Sequence, residues 1–324
     1  MGNLIGAVLA IVIGVGGVTL LFWVLNALVE RLPERWEQRL KPVVFIGPAL
    51  LLVGAFLVYP ALDTVRRSFM DASSDAFVGT ENYRWLVTDP GVRETLFNNL
   101  LWIVFVPTVT VAVGLAIAVL ADRLAPRSEN VAKSTIFLPM AISFVGASTI
   151  WGFVYAWRPE GRPQIGLLNA IWSALGGTPI TWLQTSPIND FALMIIMVWL
   201  QAGFAMVLLS AAIKSVPEDT IEAARIDGAT ETQIFWRVVI PQIASTIAVV
   251  TTTLLILVLK VFDIVRVLTN GRFGTDIVAN RFISELITFR QFGHAAAIVV
   301  ALILATIPVM IWNVRRFREQ EATR

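Results

Sequence analysis

Long apolar runs separated by shorter polar stretches dominate the pattern of this chain. Each run has about the length of a helix that crosses a bilayer, roughly 20 residues, and each therefore predicts a membrane-spanning helix. The runs lie at about 4–28, 43–62, 97–121, 133–157, 190–213, 242–262 and 293–314. We expect an all-α integral membrane protein with about seven transmembrane helices.

The composition supports a membrane protein. Of the 324 residues, 56% are hydrophobic and only 15% are charged, which is more apolar surface than one soluble core can bury. The net charge of +2 is small and spread among the loops, so no nucleic-acid partner is expected. The chain has no cysteine, which excludes disulfides, thiolate chemistry and cysteine-ligated metals.

The distribution of Lys and Arg predicts the orientation, because positively charged short loops tend to stay cytoplasmic. In a seven-span protein the first loop, the third loop, the polar loop around Glu222 and the C-terminal tail share one side. The basic residues of these segments are Arg31, Arg35, Arg39, Lys41, Arg123, Arg127, Lys133, Arg315, Arg316, Arg318 and Arg324. We therefore expect these segments in the cytoplasm and the N-terminus outside.

The polar segment 214–241 separates the fifth and sixth apolar runs and predicts a helix, a turn and a second helix. Pro217 and the acids after it suit a first helical turn, since the missing N–H is harmless there and negative charge suits the helix dipole. Gly228 permits a sharp turn. A second helix from about Thr230 places three apolar residues at helical spacing. They are Ile234, Phe235 and Val238. An ordinary amphipathic interfacial helix is the alternative.

The spacing in this segment resembles the EAA loop of ATP-binding-cassette (ABC) importer permeases. That loop has Glu-Ala-Ala, three residues, Gly, nine residues and then apolar-x-apolar-Pro, and the chain meets the pattern from Glu222 to Pro241. In the family this short helix lies in a groove of the ATPase subunit and passes its movement to the membrane helices. The resemblance assigns ATPase coupling to Glu222, Ala223, Ala224, Asp227, Gly228, Ala229, Phe235 and Pro241.

Further motifs resemble the sugar-permease branch of this family. They are Phe77–Tyr83, Phe137–Pro139, Gly166–Asn169 and Val261–Gly271. The match runs from about residue 45 to 315 and implies a type I importer (MetI-like) core. We expect an extra N-terminal helix and cytoplasmic loop at 1–42 and a permease domain at 43–324. The loop 157–169 looks most like permeases for α-glucosides such as maltose and trehalose. Alternatively, its Gly and Pro only shape a turn.

The resemblance implies a permease subunit of an ATP-driven, binding-protein-dependent importer in a bacterial inner membrane. It implies a heterodimer with a second, related permease, two ATPase subunits and an extracytoplasmic substrate-binding protein. That binding protein would contact the long outer loops at 63–96, 158–189 and 266–291. The sequence has no Gly-rich phosphate loop, so we expect no cofactor in this chain, no enzymatic activity, and ATP and Mg²⁺ on the ATPase. His294 is expected at an interface rather than as a base or metal ligand.

A transport path needs polar groups at membrane depth, where charges are expensive. In the fifth run, Trp199, Gln201 and Phe204 combine aromatic faces with an amide, which suits a sugar ring. Helix or lipid packing is the alternative for the two aromatic residues. Lys260 and Asp263 share a helix face near the end of the sixth run. They could line the cavity, pair with each other or reach outward.

In maltose-type permeases the sugar is held between the helices before and after the EAA loop. The resemblance therefore points to Met197, Leu200, Gln201 and Phe204, and to Leu254, Leu257, Val258 and Val261. The second set is almost wholly apolar, which departs from the amides or hydroxyls expected of a sugar-holding helix. Either Thr251–Thr253 supply the polarity, or the partner permease contributes most of the site.

Two other functions remain open from the residues alone. A secondary transporter driven by an ion gradient would carry acids at the membrane midplane, whereas the acids here lie at span ends: Asp190 begins the fifth run and Asp263 follows the sixth. An importer of the same family could carry a polyol, glycerol phosphate or a peptide. Lys260 is the only basic residue well inside a span, which favours a neutral solute over a phosphate ester.

Overall fold

The structure is a computed structural model that describes residues 2–159 and 161–322. Glu160 and Arg324, which belong to segments used above, lie outside these ranges. The described residues form helices joined by turns and contain no strand. The chain divides into two compact units, Met1–Arg66 and Arg67–Arg324. The expected boundary at residue 42 stays a prediction.

The first unit is a helical hairpin. Helix α1 is Gly2–Val29 and helix α2 is Glu34–Arg67. The rings of Phe22 and Phe45 stack between the two helices with centroids 5.8 Å apart. Two prolines lie inside α2, and a wider turn follows them at Gly54–Val58, as is tolerated in membrane helices where local adjustments satisfy the freed backbone groups.

The second unit contains the remaining helices. In chain order they are α3 (Glu81–Thr88), α4 (Pro90–Ala121), α5 (Pro126–Ala141), α6 (Phe144–Val154), α7 (Leu167–Ala174), α8 (Ile188–Lys214), α9 (Glu218–Ile226), α10 (Glu231–Gln242), α11 (Ala244–Leu259), α12 (Asp263–Leu268), α13 (Val278–Ile283) and α14 (Phe292–Ala322). Side chains cap the N-termini of several of these helices. For example, Asp89 Oδ1 accepts a hydrogen bond of 2.9 Å from Val92 N at the start of α4.

Among the described residues, three helices are long and apolar enough to cross a membrane alone, namely α2, α4 and α8. The pairs α5–α6 and α10–α11 pass the same test together, so up to five spans are present by length and composition. Two shorter apolar helical stretches lie at Ile13–Val29 and Phe292–Pro308. All seven apolar runs are helical along most of their length, and the count of seven spans stays a prediction.

The fourth apolar run is not one straight helix. Helices α5 and α6 meet at an angle of 104°. The physical reason is local: Pro139 lies in a tight last turn of α5, and Ile142 and Ser143 adopt extended backbone conformations. The hydroxyl of Ser143 then accepts a hydrogen bond from Gly146 N at 3.1 Å, which starts α6 in a new direction.

Helices α4 and α8 form the centre of the second unit and run parallel. A Cβ built on Gly114 of α4 would lie 2.6 Å from the Cβ of Ala205 and 2.9 Å from the N of Met206 on α8. The two backbones can approach this closely because Gly114 has no side chain. Ala118, Met206 and Leu209 belong to the buried cluster at this contact, and Trp102 and Leu193 belong to a second buried cluster of the two helices.

We expect Gly114→Val to destabilise the folded protein by about 2 kcal/mol or more, because the new side chain would overlap a backbone atom that cannot rotate away. Gly17→Val is the matched control, since nothing lies within 4 Å of a Cβ at Gly17. The measurement is thermal unfolding in detergent, followed by the loss of monodisperse protein. Equal melting temperatures for the two variants would contradict the close contact.

Candidate functional site

The segment between α8 and α11 has the helix, turn and helix that its sequence predicts. Helix α9 ends at Ile226, and Gly228 follows with a φ of +82°. Ala229 N donates to Ala224 O at 3.0 Å, which closes the end of the helix in the way typical of a left-handed glycine. Glycine is favoured here because side chains disfavour a positive φ. Space is not the reason, because a Cβ at this position would meet no atom within 4 Å.

Helix α10 starts with a reciprocal cap. Thr230 N donates to Gln233 Oε1 at 2.8 Å, and Gln233 N donates to Thr230 Oγ1 at 3.4 Å. Across the turn, Arg225 donates two hydrogen bonds to the Glu231 carboxylate, with Nε–Oε1 at 2.8 Å and Nη2–Oε2 at 3.3 Å. This carboxylate raises the pKa of Arg225 above its usual value. Because the pair is exposed, its contribution to stability is small, and the glycine and the cap define the turn.

Most of the residues assigned to ATPase coupling lie on an accessible surface. Glu222, Ala223, Asp227, Gly228 and Pro241 are exposed, whereas Ala224, Ala229 and Phe235 are half-buried. We call α9, the Gly228 turn and α10 the docking segment.

Two large apolar side chains on the docking segment were not singled out from the sequence. Ile226 is 86% exposed and Trp236 is 60% exposed. Ile234 of α10, in contrast, is buried at 2% exposure. The side chains of Ile226 and Trp236 add exposed apolar area to this short polar segment.

The residues assigned to the transport path come together in packed interfaces of α8 and α11. Met197, Leu200, Val258 and Val261 belong to one buried cluster, and Leu257 and Trp199 pack against it. Leu254 belongs to a second cluster, against which Phe204 packs. The ring of Trp199 contacts that of Trp151 on α6 edge to face, with centroids 5.7 Å apart. In this conformation these side chains fill helix interfaces.

Polar atoms without partners lie in the interface of α4 and α8. Gln201 Oε1, Thr110 Oγ1 and Trp102 Nε1 are buried and have no hydrogen-bond partner among the described residues. Gln201 shares the face of α8 that carries Ala205, four residues on, and therefore points towards α4. Thr110 and Trp102 were not among the residues predicted from the sequence. Both lie at helical spacing from Val106, so the three residues share one face of α4.

The hydroxyls of the sixth run each donate a hydrogen bond within their own helix. Thr251, Thr252 and Thr253 each donate to the carbonyl four residues earlier, at 2.7, 2.7 and 2.9 Å. Lys260 is exposed at the end of α11, beside a lateral apolar groove between α11 and α14 that encloses about 450 Å³. Within the part of the chain that the structure describes, Lys260 and Asp263 form no ion pair.

At the other end of the parallel helices, two asparagines hold the loop 269–277. Asn98 Nδ2 of α4 donates to Gly274 O at 2.6 Å and to Asp276 O at 2.9 Å. Asn189 Nδ2 of α8 donates to Phe273 O at 2.8 Å. Burial raises the pKa of the Asp276 carboxyl in this loop, against a lowering hydrogen bond from Asn280. The sequence reading missed both asparagines, because nothing local marks a contact with a segment so distant in the chain.

Comparison with known families identifies the fold and the type of protein. Residues 113–315 match the family model described as "Binding-protein-dependent transport system inner membrane component". The chain belongs to this family of ABC importer permeases. The permease is thus a subunit of an importer in the inner membrane and not an enzyme, and ATP hydrolysis belongs to a separate ATPase subunit.

Relatives and a solved structure agree with this assignment. The permease is 55% identical to the osmoprotective compounds uptake permease protein GgtC of Synechocystis, over 87% of this chain and 100% of the relative. It is 45% identical to the alpha-glucoside transport system permease protein AglF of Rhizobium meliloti, over 97% of both chains. A chain of a bacterial ABC transporter involved in alginate import has the same fold, with a TM-score of 0.73, 20% identity and coverage of 88% and 99%.

We predict that Gly228→Val will loosen the turn of the docking segment and that Gly228→Asn will have a much smaller effect. A β-branched residue with positive φ costs roughly 1–2 kcal/mol, whereas asparagine tolerates this conformation. Amide hydrogen exchange over residues 226–234 is the measurement, and faster exchange is expected in the valine variant alone. Equal exchange in the two variants would contradict the left-handed turn.

Proposed function

We propose that this permease imports an α-glucoside or another di- or oligosaccharide, in the maltose or trehalose class. The observation that carries this substrate class is the similarity to AglF, which extends over nearly the whole of both chains. The residues assigned to the path are compatible with a neutral solute: they are mostly apolar, and the one buried polar side chain among them is the uncharged amide of Gln201. Aromatic faces such as that of Trp199 suit the apolar faces of a sugar ring.

A second solute class has its own support. GgtC is the more similar of the two relatives, and its name describes the uptake of osmoprotective compounds. Small neutral polyols and glycosides serve as compatible solutes, and they would meet the same amide and hydroxyl groups as a disaccharide. The two classes differ in solute size, so transport assays can separate them.

The docking segment is our proposed site of ATPase coupling. Its exposed acids, its exposed Ile226 and its rigid turn at Gly228 form a surface that a groove on an ATPase subunit can cover. ATP and Mg²⁺ are bound by the two ATPases, and their closure moves the docking segment. The two permeases of the complex then change from inward-open to outward-open. The cycle itself rests on analogy with the family.

Partners and orientation follow the same proposal. A second, homologous permease completes a heterodimer, and its side chains supply polar groups that the apolar faces of α8 and α11 lack. The N-terminus lies outside, and the docking segment and the C-terminus lie in the cytoplasm, in agreement with the basic residues of their loops. An extracytoplasmic binding protein delivers the solute to the long outer loops.

Glu222→Lys and Ile226→Asp should each reduce uptake by about tenfold or more, because each places an unfavourable charge in the proposed ATPase interface. Glu34→Lys, at an exposed acid outside the docking segment, is the control. The measurements are solute uptake in cells and the amount of ATPase that co-purifies with the permease. Normal uptake and normal co-purification in both docking variants, with normal membrane insertion, would overturn the docking proposal.

For the substrate, we expect the purified complex with its binding protein to hydrolyse ATP several times faster with maltose or trehalose than without solute. The panel should include smaller neutral glycosides and polyols, with glycerol phosphate and a peptide as controls. Stimulation by the smaller glycosides alone would favour the osmoprotectant class. Stimulation by glycerol phosphate or the peptide alone would refute both classes and leave the family assignment intact.

A further inference from the structure

A compact charge cluster joins three helices at the end of α8 that leads into the docking segment. Its members are Asp122, Glu129, Lys133, Ser210 and Lys214. Asp122 directly follows α4, whereas Glu129 and Lys133 lie one turn apart on α5. Ser210 and Lys214 lie one turn apart at the end of α8. The cluster therefore connects α8, the helix directly before the docking segment, with α4 and α5. Neither α4 nor α5 is adjacent to the docking segment in the chain.

The contacts within the cluster are reciprocal. Lys133 Nζ lies 2.5 Å from Glu129 Oε1 and 3.2 Å from Asp122 Oδ1, and it also donates to Ser210 Oγ. Ser210 Oγ donates to Asp122 Oδ1 at 3.0 Å. Lys214 Nζ lies 3.6 Å from Asp122 Oδ1 and contacts Glu129 Oε1. Each ammonium group thus contacts both carboxylates, and the four charges balance.

Three of the four charged side chains are largely withdrawn from solvent. The exposed fractions are 18% for Lys133, 13% for Glu129 and 20% for Asp122, whereas Lys214 is 51% exposed. These half-buried charges retain their arrangement because separating them would cost each group its charged hydrogen-bond partners. The cluster therefore resists relative movement of the three helix ends more strongly than exposed ion pairs would.

The connection from the cluster to the docking segment is short and ordered. Lys214 is the last residue of α8, and only residues 215–217 separate it from α9. Ser215 N donates to Ala211 O at 3.1 Å, and Val216 N donates to Ile213 O at 3.2 Å, so helical hydrogen bonding continues into this linker. Because this linker is short and hydrogen-bonded, a displacement of α9 would also displace Lys214.

We propose that Lys133, Ser210 and Lys214 are positioning residues that make α4, α5 and α8 move as one body when the ATPase displaces the docking segment. The proposal rests on the docking function proposed above. Without the cluster, the end of α8 would move alone and α4 and α5 would follow incompletely. Hydrolysis would then continue without a matching opening of the path.

The test uses the complete complex in proteoliposomes with its binding protein. It measures ATP hydrolysed per molecule of solute imported, with radiolabelled trehalose or the panel solute that stimulates hydrolysis most. Ser210→Ala removes one bridging hydroxyl and keeps all four charges. Glu129→Gln combined with Lys133→Met removes one charge of each sign and leaves the Lys214–Asp122 pair. Arg127→Met is the matched control, since Arg127 is exposed on the same turn of α5 as Glu129.

We expect the neutral double variant to raise the ratio of hydrolysis to uptake by about tenfold and Ser210→Ala to raise it less, with normal amounts of co-purified ATPase. The Arg127→Met ratio should equal that of the unaltered protein. An unchanged ratio in both cluster variants would overturn the proposal. Failure of both to insert or assemble would also overturn it, because the cluster would then be needed for folding alone. Failure of the docking proposal is separate, since it appears as ATPase retained by Glu222→Lys.

Discussion

The close parallel contact of α4 and α8 is the constraint on which the rest of the second unit depends. Lipid offers no hydrophobic drive for two apolar helices to associate, so close packing and polar contacts must hold them together. Gly114 provides the close packing. Asn98 and Asn189 tie one end of the pair to the loop 269–277, and the cluster of Asp122 and Ser210 ties the other end.

These polar ties are placed where they cost least. Both lie at helix ends, where water and loop backbone are near and a charge or amide is not surrounded by hydrocarbon. Between them, the interface is apolar except for a few atoms such as Gln201 Oε1 and Thr110 Oγ1. An apolar interface of this kind lets α4 and α8 pack closely along most of their length.

The docking segment combines local rigidity with exposure. Its turn is defined by a left-handed glycine and a reciprocal threonine–glutamine cap, both of which depend on residues within a few positions of each other. Its surface, including Ile226, contributes little to the fold of the permease itself. This element connects α8 on one side with α11, which bends away from α10 by 67°, on the other.

The sequence by itself determined that this is an all-α membrane protein, where its apolar helices lie, and that the docking segment consists of a helix, a turn and a second helix. Each of these depends on hydrophobic length or on interactions between residues close in the chain, such as the cap of Thr230 or the φ of Gly228. Only the tertiary structure decided that Gln201 faces α4 in a packed interface, and that Asp122, Lys133 and Lys214 form one cluster. The reason is physical: these features depend on contacts between residues far apart in the chain, and no local pattern specifies which helix faces which.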